Sequence, residues 1–298
     1  MKRRTAIRVL TIFYKSAILT LLTVEAASSA FAQSAEKISD SARSFFNRGI
    51  TRQAKGDLHG AIADFNIAIT FAPGFAEAYS SRGKTRQAMG DLEGAIADYD
   101  SAIAFDPDLA PAYNGRGNAR YAKGDLDAAI ADYDRAIEID PRLAEAYYNR
   151  GMARQVEGNI EQAIADFDMA IEIKPRWAWA YNNRGIAQFA AGNLDEAISD
   201  LDKAIRFDPR LAEAYNNRGA VRRAQGKLEA AIADYTKAIE IMPGYAAAYA
   251  NRGLARLLQG GREDAESDFA QCLKIDARMK SSLKARIEEI ERGLAAKQ

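Results

Sequence analysis

Seven glycines stand 34 residues apart along the chain: Gly49, Gly83, Gly117, Gly151, Gly185, Gly219 and Gly253. A fixed period of this length marks one supersecondary piece repeated in tandem, each copy burying its apolar side against the next. It argues against a single closed core and predicts an all-α array of helix–turn–helix repeats. With these glycines at position 8, the other fixed positions fall into line. Position 4 is aromatic throughout (Phe45, Tyr79, Tyr113, Tyr147, Tyr181, Tyr215, Tyr249). Position 20 is alanine from Ala61 to Ala265, and position 24 is large and apolar (Phe65, Tyr99, Tyr133, Phe167, Leu201, Tyr235, Phe269). Position 27 is alanine until Cys272, and position 32 is proline from Pro73 to Pro243, then Ala277.

Each fixed position has a physical reason. Glycine inside a helix costs about 1 kcal/mol relative to alanine, so seven helical glycines need a packing role. Small residues at 8 and 20 let two helix axes approach while the large residue at 24 fills the groove. Glycine at position 15 (Gly56 to Gly260), commonly followed by Asp or Asn, reads as a helix end and turn. Apolar residues such as Leu126, Ile130, Tyr133 and Ile137 mark an amphipathic second helix. Proline at 32 stops it.

The pattern resembles the tetratricopeptide repeat family: small at 8, 20 and 27, bulky at 4 and 24, proline at 32. The resemblance covers residues 42–279 in seven in-phase copies: 42–75, 76–109, 110–143, 144–177, 178–211, 212–245 and 246–279. It implies a right-handed superhelical solenoid that binds proteins or peptides in a concave groove without catalysing a reaction. One departure is position 11, usually a large aromatic, which here is Arg52, Arg86, Arg120, Arg154, Gln188, Arg222 and Arg256. After the repeats, Leu283, Ile287, Ile290 and Leu294 make one apolar stripe, so 280–298 is predicted to be a capping helix, with docking of a partner or a second copy as the alternative.

A second series runs at the same period. Position 7 is always arginine (Arg48 to Arg252) and position 23 always aspartate (Asp64 to Asp268). Antiparallel helices put the two at similar heights, which predicts a charge ladder within a repeat or across neighbours. The alternative is an anion-binding groove lined by the arginines.

The resemblance assigns ligand contacts to positions 2, 5, 6, 9, 12 and 13 of the first helices. Here these vary, and in the middle repeats they collect amides and aromatics. They are Asn114, Asn118 and Tyr121 in repeat 3, and Tyr148, Asn149 and Met152 in repeat 4. Repeat 5 supplies Trp179, Asn182, Asn183 and Phe189, and repeat 6 supplies Asn216, Asn217 and Arg223. Amides bond both donors and acceptors of an extended backbone, and aromatics and arginine anchor interfaces. Tyr148 and Phe189 have a competing reading as packing residues. The lysine and asparagine series of the carboxylate-clamp members is missing, which disfavours an acidic chaperone tail as ligand.

Composition removes other classes. Lys plus Arg equals Asp plus Glu at 41 each, so nothing suggests nucleic acid. With one histidine, His59, and one cysteine, Cys272, no metal set or nucleophile–base pair assembles, and neither an enzyme nor a cofactor is expected. Residues 1–32 differ from the array: a basic start (Lys2, Arg3, Arg4, Arg8), apolar stretches, then Ala30-Phe31-Ala32. This is the layout of a cleaved secretory signal, with 33–41 as a lead-in. Lys15 and Glu25 break up the run a retained anchor would need, so no integral membrane segment is expected after cleavage. The remaining chain would carry 36 basic and 40 acidic groups, a net charge of −4. The expectation is a periplasmic or secreted scaffold binding a protein or extended peptide. The alternative is a structural role through self-association of array ends.

Overall fold

The computed structural model of the chain describes residues 40–295, which are α-helical apart from tight turns and one 3₁₀ turn; these residues contain no strand. The expected signal and most of the lead-in, residues 1–39, lie outside the described residues, as do 296–298. The chain divides into two compact units at Lys123/Gly124.

The first unit holds α1 (40–54), α2 (Leu58–Phe71), α3 (Ala76–Ala88), α4 (Leu92–Phe105) and α5 (Ala110–Lys123). The second begins with α6 (Leu126–Ile139), α7 (Ala144–Glu157), α8 (Ile160–Ile173), α9 (Ala178–Ala190) and α10 (Leu194–Phe207). It continues with α11 (Ala212–Ala224), α12 (Leu228–Ile241), α13 (Ala246–Leu258), α14 (Arg262–Ile275), the 3₁₀ turn Ala277–Met279 and α15 (Lys280–Ala295). From repeat 2 onward first helices start at position 1, and second helices start at position 17 of each repeat. Within each unit, consecutive helices pack against one another.

The joint between paired helices is a left-handed glycine. All seven glycines at position 15 have φ between 75° and 90°, a region only glycine enters without strain. At the next position, Asp57 and Asp91 cap the second helix by accepting from the Gly60 and Gly94 N–H at 2.9 Å.

The core between the paired helices explains the glycines at position 8. A Cβ on Gly219 would lie 2.7 Å from the Tyr235 ring, and one on Gly253 would lie 2.4 Å from Phe269. The position-24 side chains are buried, and alanines 61, 95, 163, 197, 231 and 265 at position 20 are fully enclosed. Cys272 takes the enclosed alanine site at position 27, and burial raises its thiol pKa. At the C-terminal end, Leu283 is buried, and Ile287 and Ile290 pack with Leu254, Leu257 and Phe269. The α15 stripe thus covers the apolar face that the last repeat would leave open.

Candidate functional site

Two networks of polar side chains run through the repeats, and they decide which groups are left for a partner. The first joins the arginine and aspartate series. Arg82 donates from Nε and Nη2 to the Asp98 carboxylate at 2.9 and 2.5 Å. Arg184 forks onto Asp200 at 2.7 and 2.6 Å, and Arg218 onto Asp234 at 3.0 and 2.6 Å. Arg48–Asp64, Arg150–Asp166 and Arg252–Asp268 repeat the geometry. The pairing is therefore direct, and it lies within one repeat. Each of these aspartates is nearly enclosed: Asp166 is 2 % exposed and Asp64 1 %.

A second arginine closes on the same carboxylate. Position 11 lies one turn after position 7, and Arg86, Arg154, Arg222 and Arg256 reach Asp98, Asp166, Asp234 and Asp268 at 2.8–2.9 Å. The remaining Nη1 of the position-7 arginine reaches backwards to position 25 of the preceding repeat. Arg116 meets Asp100, Arg150 meets Asp134, Arg184 meets Asp168 and Arg218 meets Asp202 at 2.5–2.6 Å; Arg82 meets Asn66 and Arg252 meets Thr236. Both reaches span 16 residues, one forward and one back. The guanidinium also lies over its own position-4 ring, as Arg184 does over Tyr181 at 5.5 Å. Desolvation opposes charge on Arg184, but the hydrogen bonds to Asp200 and Asp168 outweigh it and raise its pKa. In repeat 1 the hydrogen bond from Arg48 holds Asp64 below the ordinary carboxylate value, against the opposing effect of burial. Position 25 was not singled out in the sequence, although its run of acceptors (Asn66, Asp100, Asp134, Asp168, Asp202, Thr236) carries the signal.

The second network runs through the second unit. Asn183 donates to the Tyr148 hydroxyl and to Met152 Sδ, both at 2.8 Å. Asn182 donates to Asn183 Oδ1 at 2.9 Å, and Asn217 donates to Asn182 Oδ1 at 3.0 Å. Asn216 donates to Asn217 at 3.3 Å, Asn251 to Asn216 at 2.9 Å, and Arg286 of α15 to Asn251 at 3.0 Å. An amide ladder thus steps from α7 through α9, α11 and α13 to the cap.

Models of the tetratricopeptide repeat match along the array. One described as TPR repeat matches residues 87–124, 117–155 and 219–260; two described as tetratricopeptide repeat match 144–176 and 178–211, and 201–233. Together they span more than half of the chain. The chain belongs to the tetratricopeptide repeat family.

Two solved tetratricopeptide structures agree with the fold. A tetratricopeptide repeat protein from Parabacteroides merdae is 24 % identical, with a TM-score of 0.64 over 85 % of this chain and 99 % of its own. YrrB, described as a TPR protein with an unusual peptide-binding site, is 27 % identical, with a TM-score of 0.51 over 62 % of this chain and 95 % of its own. MamA is 30 % identical, covering 55 % of this chain and 96 % of its own at a TM-score of 0.49. No curated protein matches the chain. Fold and family make this tetratricopeptide protein an interaction scaffold, and no enzyme family is indicated.

Within this tetratricopeptide array the expected groove residues separate into two sets. Asn182, Asn183 and Asn216 are buried, at 2 %, 7 % and 6 % exposure, and their amides are spent on one another. This corrects the expectation that they face an open groove. A buried amide needs a partner, and the neighbouring repeat supplies it at the spacing of one period plus one residue. Tyr148 is also a packing residue: its ring lies 4.6 Å from Trp177 and 5.9 Å from Phe167. Phe189 packs at the edge of the same core, and Met152 packs near Phe167. Asn114, Asn118 and Tyr121 lie half-buried on α5 in the first unit. Asn149, Asn217 and Arg223 are half-buried in the second. Trp179 stands apart, 41 % exposed near the start of α9.

The tetratricopeptide arginines at position 7, and those at position 11 in repeats 1, 2, 4, 6 and 7, are engaged by aspartates, so they do not line an anion-binding groove. Among the described residues no group of three or more His, Cys, Asp or Glu converges as a metal site. No helix among them is long and apolar enough to cross a membrane. His59 is exposed at the start of α2.

Proposed function

We propose that the chain is an exported scaffold that binds an extended polypeptide along the first-helix face of its second unit. The observation that carries this reading is Trp179. An indole left 41 % exposed on a first helix, beside a network that fixes its neighbours, is a preformed anchor. The amide ladder holds α7, α9 and α11 in register at little entropic cost on binding. The description of YrrB as a TPR protein with an unusual peptide-binding site supports a peptide as the kind of ligand. Self-association through the array ends is the weaker reading, because α15 already covers the apolar end of the second unit.

Selection of peptides on the full chain from a random display library, followed by anisotropy titration, tests the proposal. Trp179→Ala should weaken the selected peptides by tenfold or more, since truncating an aromatic anchor costs about 2 kcal/mol. Equal affinity for wild type and variant would remove this face from the reading.

Export rests on the basic start, the apolar stretches and Ala30-Phe31-Ala32. The protein recovered from a periplasmic fraction should begin at Gln33; an intact Met1 end would overturn cleavage.

A further inference from the structure

Every arginine at positions 7 and 11 of repeats 4 to 7 meets an aspartate. Arg223, at position 12, does not. It lines a cavity of about 440 Å³ with Leu254 and Leu258 of α13 and with Arg286, Glu289 and Ile290 of α15. Its Nε is buried without a hydrogen-bond partner, and so is the nearby hydroxyl of Tyr235, a fully enclosed side chain. Arg286 donates to Asn251 at the end of the amide ladder, which fixes its guanidinium in the same cavity. Among the described residues neither arginine lies within ion-pair distance of a carboxylate; Glu289, at the exposed rim, is the acidic group nearest to hand. Burial, and then repulsion from Arg223, lower the Arg286 pKa.

Two partly desolvated cations facing one cavity are costly unless an anion joins them. Elsewhere in this chain, two arginines converging on one site enclose a carboxylate between them, as Arg150 and Arg154 do with Asp166. Here the two guanidiniums are present and the carboxylate is not supplied by the chain. The remaining wall is aliphatic, from Leu254, Leu258 and Ile290.

We propose that this cavity binds a carboxylate of a partner polypeptide between Arg223 and Arg286, with an adjacent aliphatic side chain against Leu254, Leu258 and Ile290. The carboxylate comes either from a chain terminus or from an acidic side chain. The assignment of a polypeptide rests on the proposed function; the preference for a carboxylate rests on the cavity alone. The site places one end of the bound segment at the cap, where α15 contributes recognition as well as cover.

Calorimetric titration of the full chain tests this with three short probes and one ion. The probes are acetyl-Ala-Ala-Leu as free acid, the same peptide as its C-terminal amide, and acetyl-Ala-Glu-Leu amide; the ion is inorganic phosphate. The free acid should bind at least tenfold more tightly than the amide. Recovery of that affinity by the glutamate-containing amide would identify the side chain as the source, and its failure to recover would identify the terminus. Arg223→Gln should abolish the preference without lowering the melting temperature, because it removes an unpaired charge. Arg223→Lys, which keeps the charge but loses the fork, should retain part of it. Equal binding of acid and both amides, binding of none of the probes, or binding of phosphate alone overturns the proposal. If acid and amide bind equally but Trp179→Ala weakens both, the cavity falls and the peptide-binding face stands. If acid preference survives Trp179→Ala while the display-selected peptides bind wild type and Trp179→Ala equally, the cavity stands and the face falls.

Discussion

The arginine–aspartate seam and the amide ladder are both polar, largely buried and periodic, yet they do different work. The seam recurs in both units and, within each, ties second helices to their own first helices and to the next repeat through one guanidinium. In the second unit the ladder joins the first helices α7, α9, α11 and α13 to one another and to α15. The seam is charged and uses groups whose loss leaves an ion buried. The ladder is neutral, and its loss leaves an amide. Within the second unit the charged seam recurs in each repeat from 144 onward, while the neutral ladder links the first helices to the cap. The exposed tryptophan and the unpaired Arg223 both lie on that stretch.

The sharpest way to break this comparison is Asp166→Ala. It leaves Arg150 and Arg154 without their shared carboxylate and should cost about 3–5 kcal/mol, read by hydrogen exchange across α7 and α8, because a repeat array can open locally. A double-mutant cycle with Arg150→Ala should show strong coupling; additive losses would mean that the pair in the structure is energetically idle. Asn182→Ala should cost less, about 1–3 kcal/mol, as it strands the Asn217 amide and releases Asn183. Its exchange signature should be confined to α9 and α11. Losses as large as those of Asp166→Ala would erase the distinction between the two networks.

Acid should separate them further. The Asp64 carboxyl is held below its ordinary value in the folded chain, so its pairing stabilises fully above about pH 4 and fades as the pH falls through the folded-state pKa. The stability gap between wild type and Asp64→Asn should therefore narrow on acidification. The gap for Asn182→Ala, where nothing titrates, should stay level over the same range. The smallest effect is expected from Trp179→Ala, whose folding stability should change by less than about 0.5 kcal/mol even as binding is lost. A large loss would make that indole a packing residue.

The fold was legible because its signals repeat: the glycines at position 8, the large residue at 24 and the left-handed glycine at 15 each recur with one physical reason. The 7-to-23 pairing was legible for the same cause, as equal numbers of opposite charges at matching heights. Its backward reach to position 25 was hidden by variation in the acceptor, since Asn66, Asp134 and Thr236 perform one task with three side chains. The candidate site was less readable. Asn182 and Asn183 look like ligand contacts because they depart from the consensus, but departure does not reveal whether an amide faces solvent or its counterpart 35 residues away. Trp179 was recognisable because a helix start seldom serves as a core position. Arg223 was visible as a candidate, but its lack of an aspartate depends on where α15 packs, which the period cannot predict.

The symmetric 16-residue reach of each position-7 arginine has an evolutionary consequence. Excision of residues 178–211 would bring Arg218 to the Asp168 acceptor and Asn217 to the Tyr148 hydroxyl, each inheriting the partner of its lost equivalent. Duplication of the same block would extend both connections without inventing a new one. The length of such a chain can therefore drift by whole repeats through unequal recombination, with no interface to be rebuilt at the junction. The specialised C-terminal stretch would travel as a cassette, carried intact on arrays of different reach.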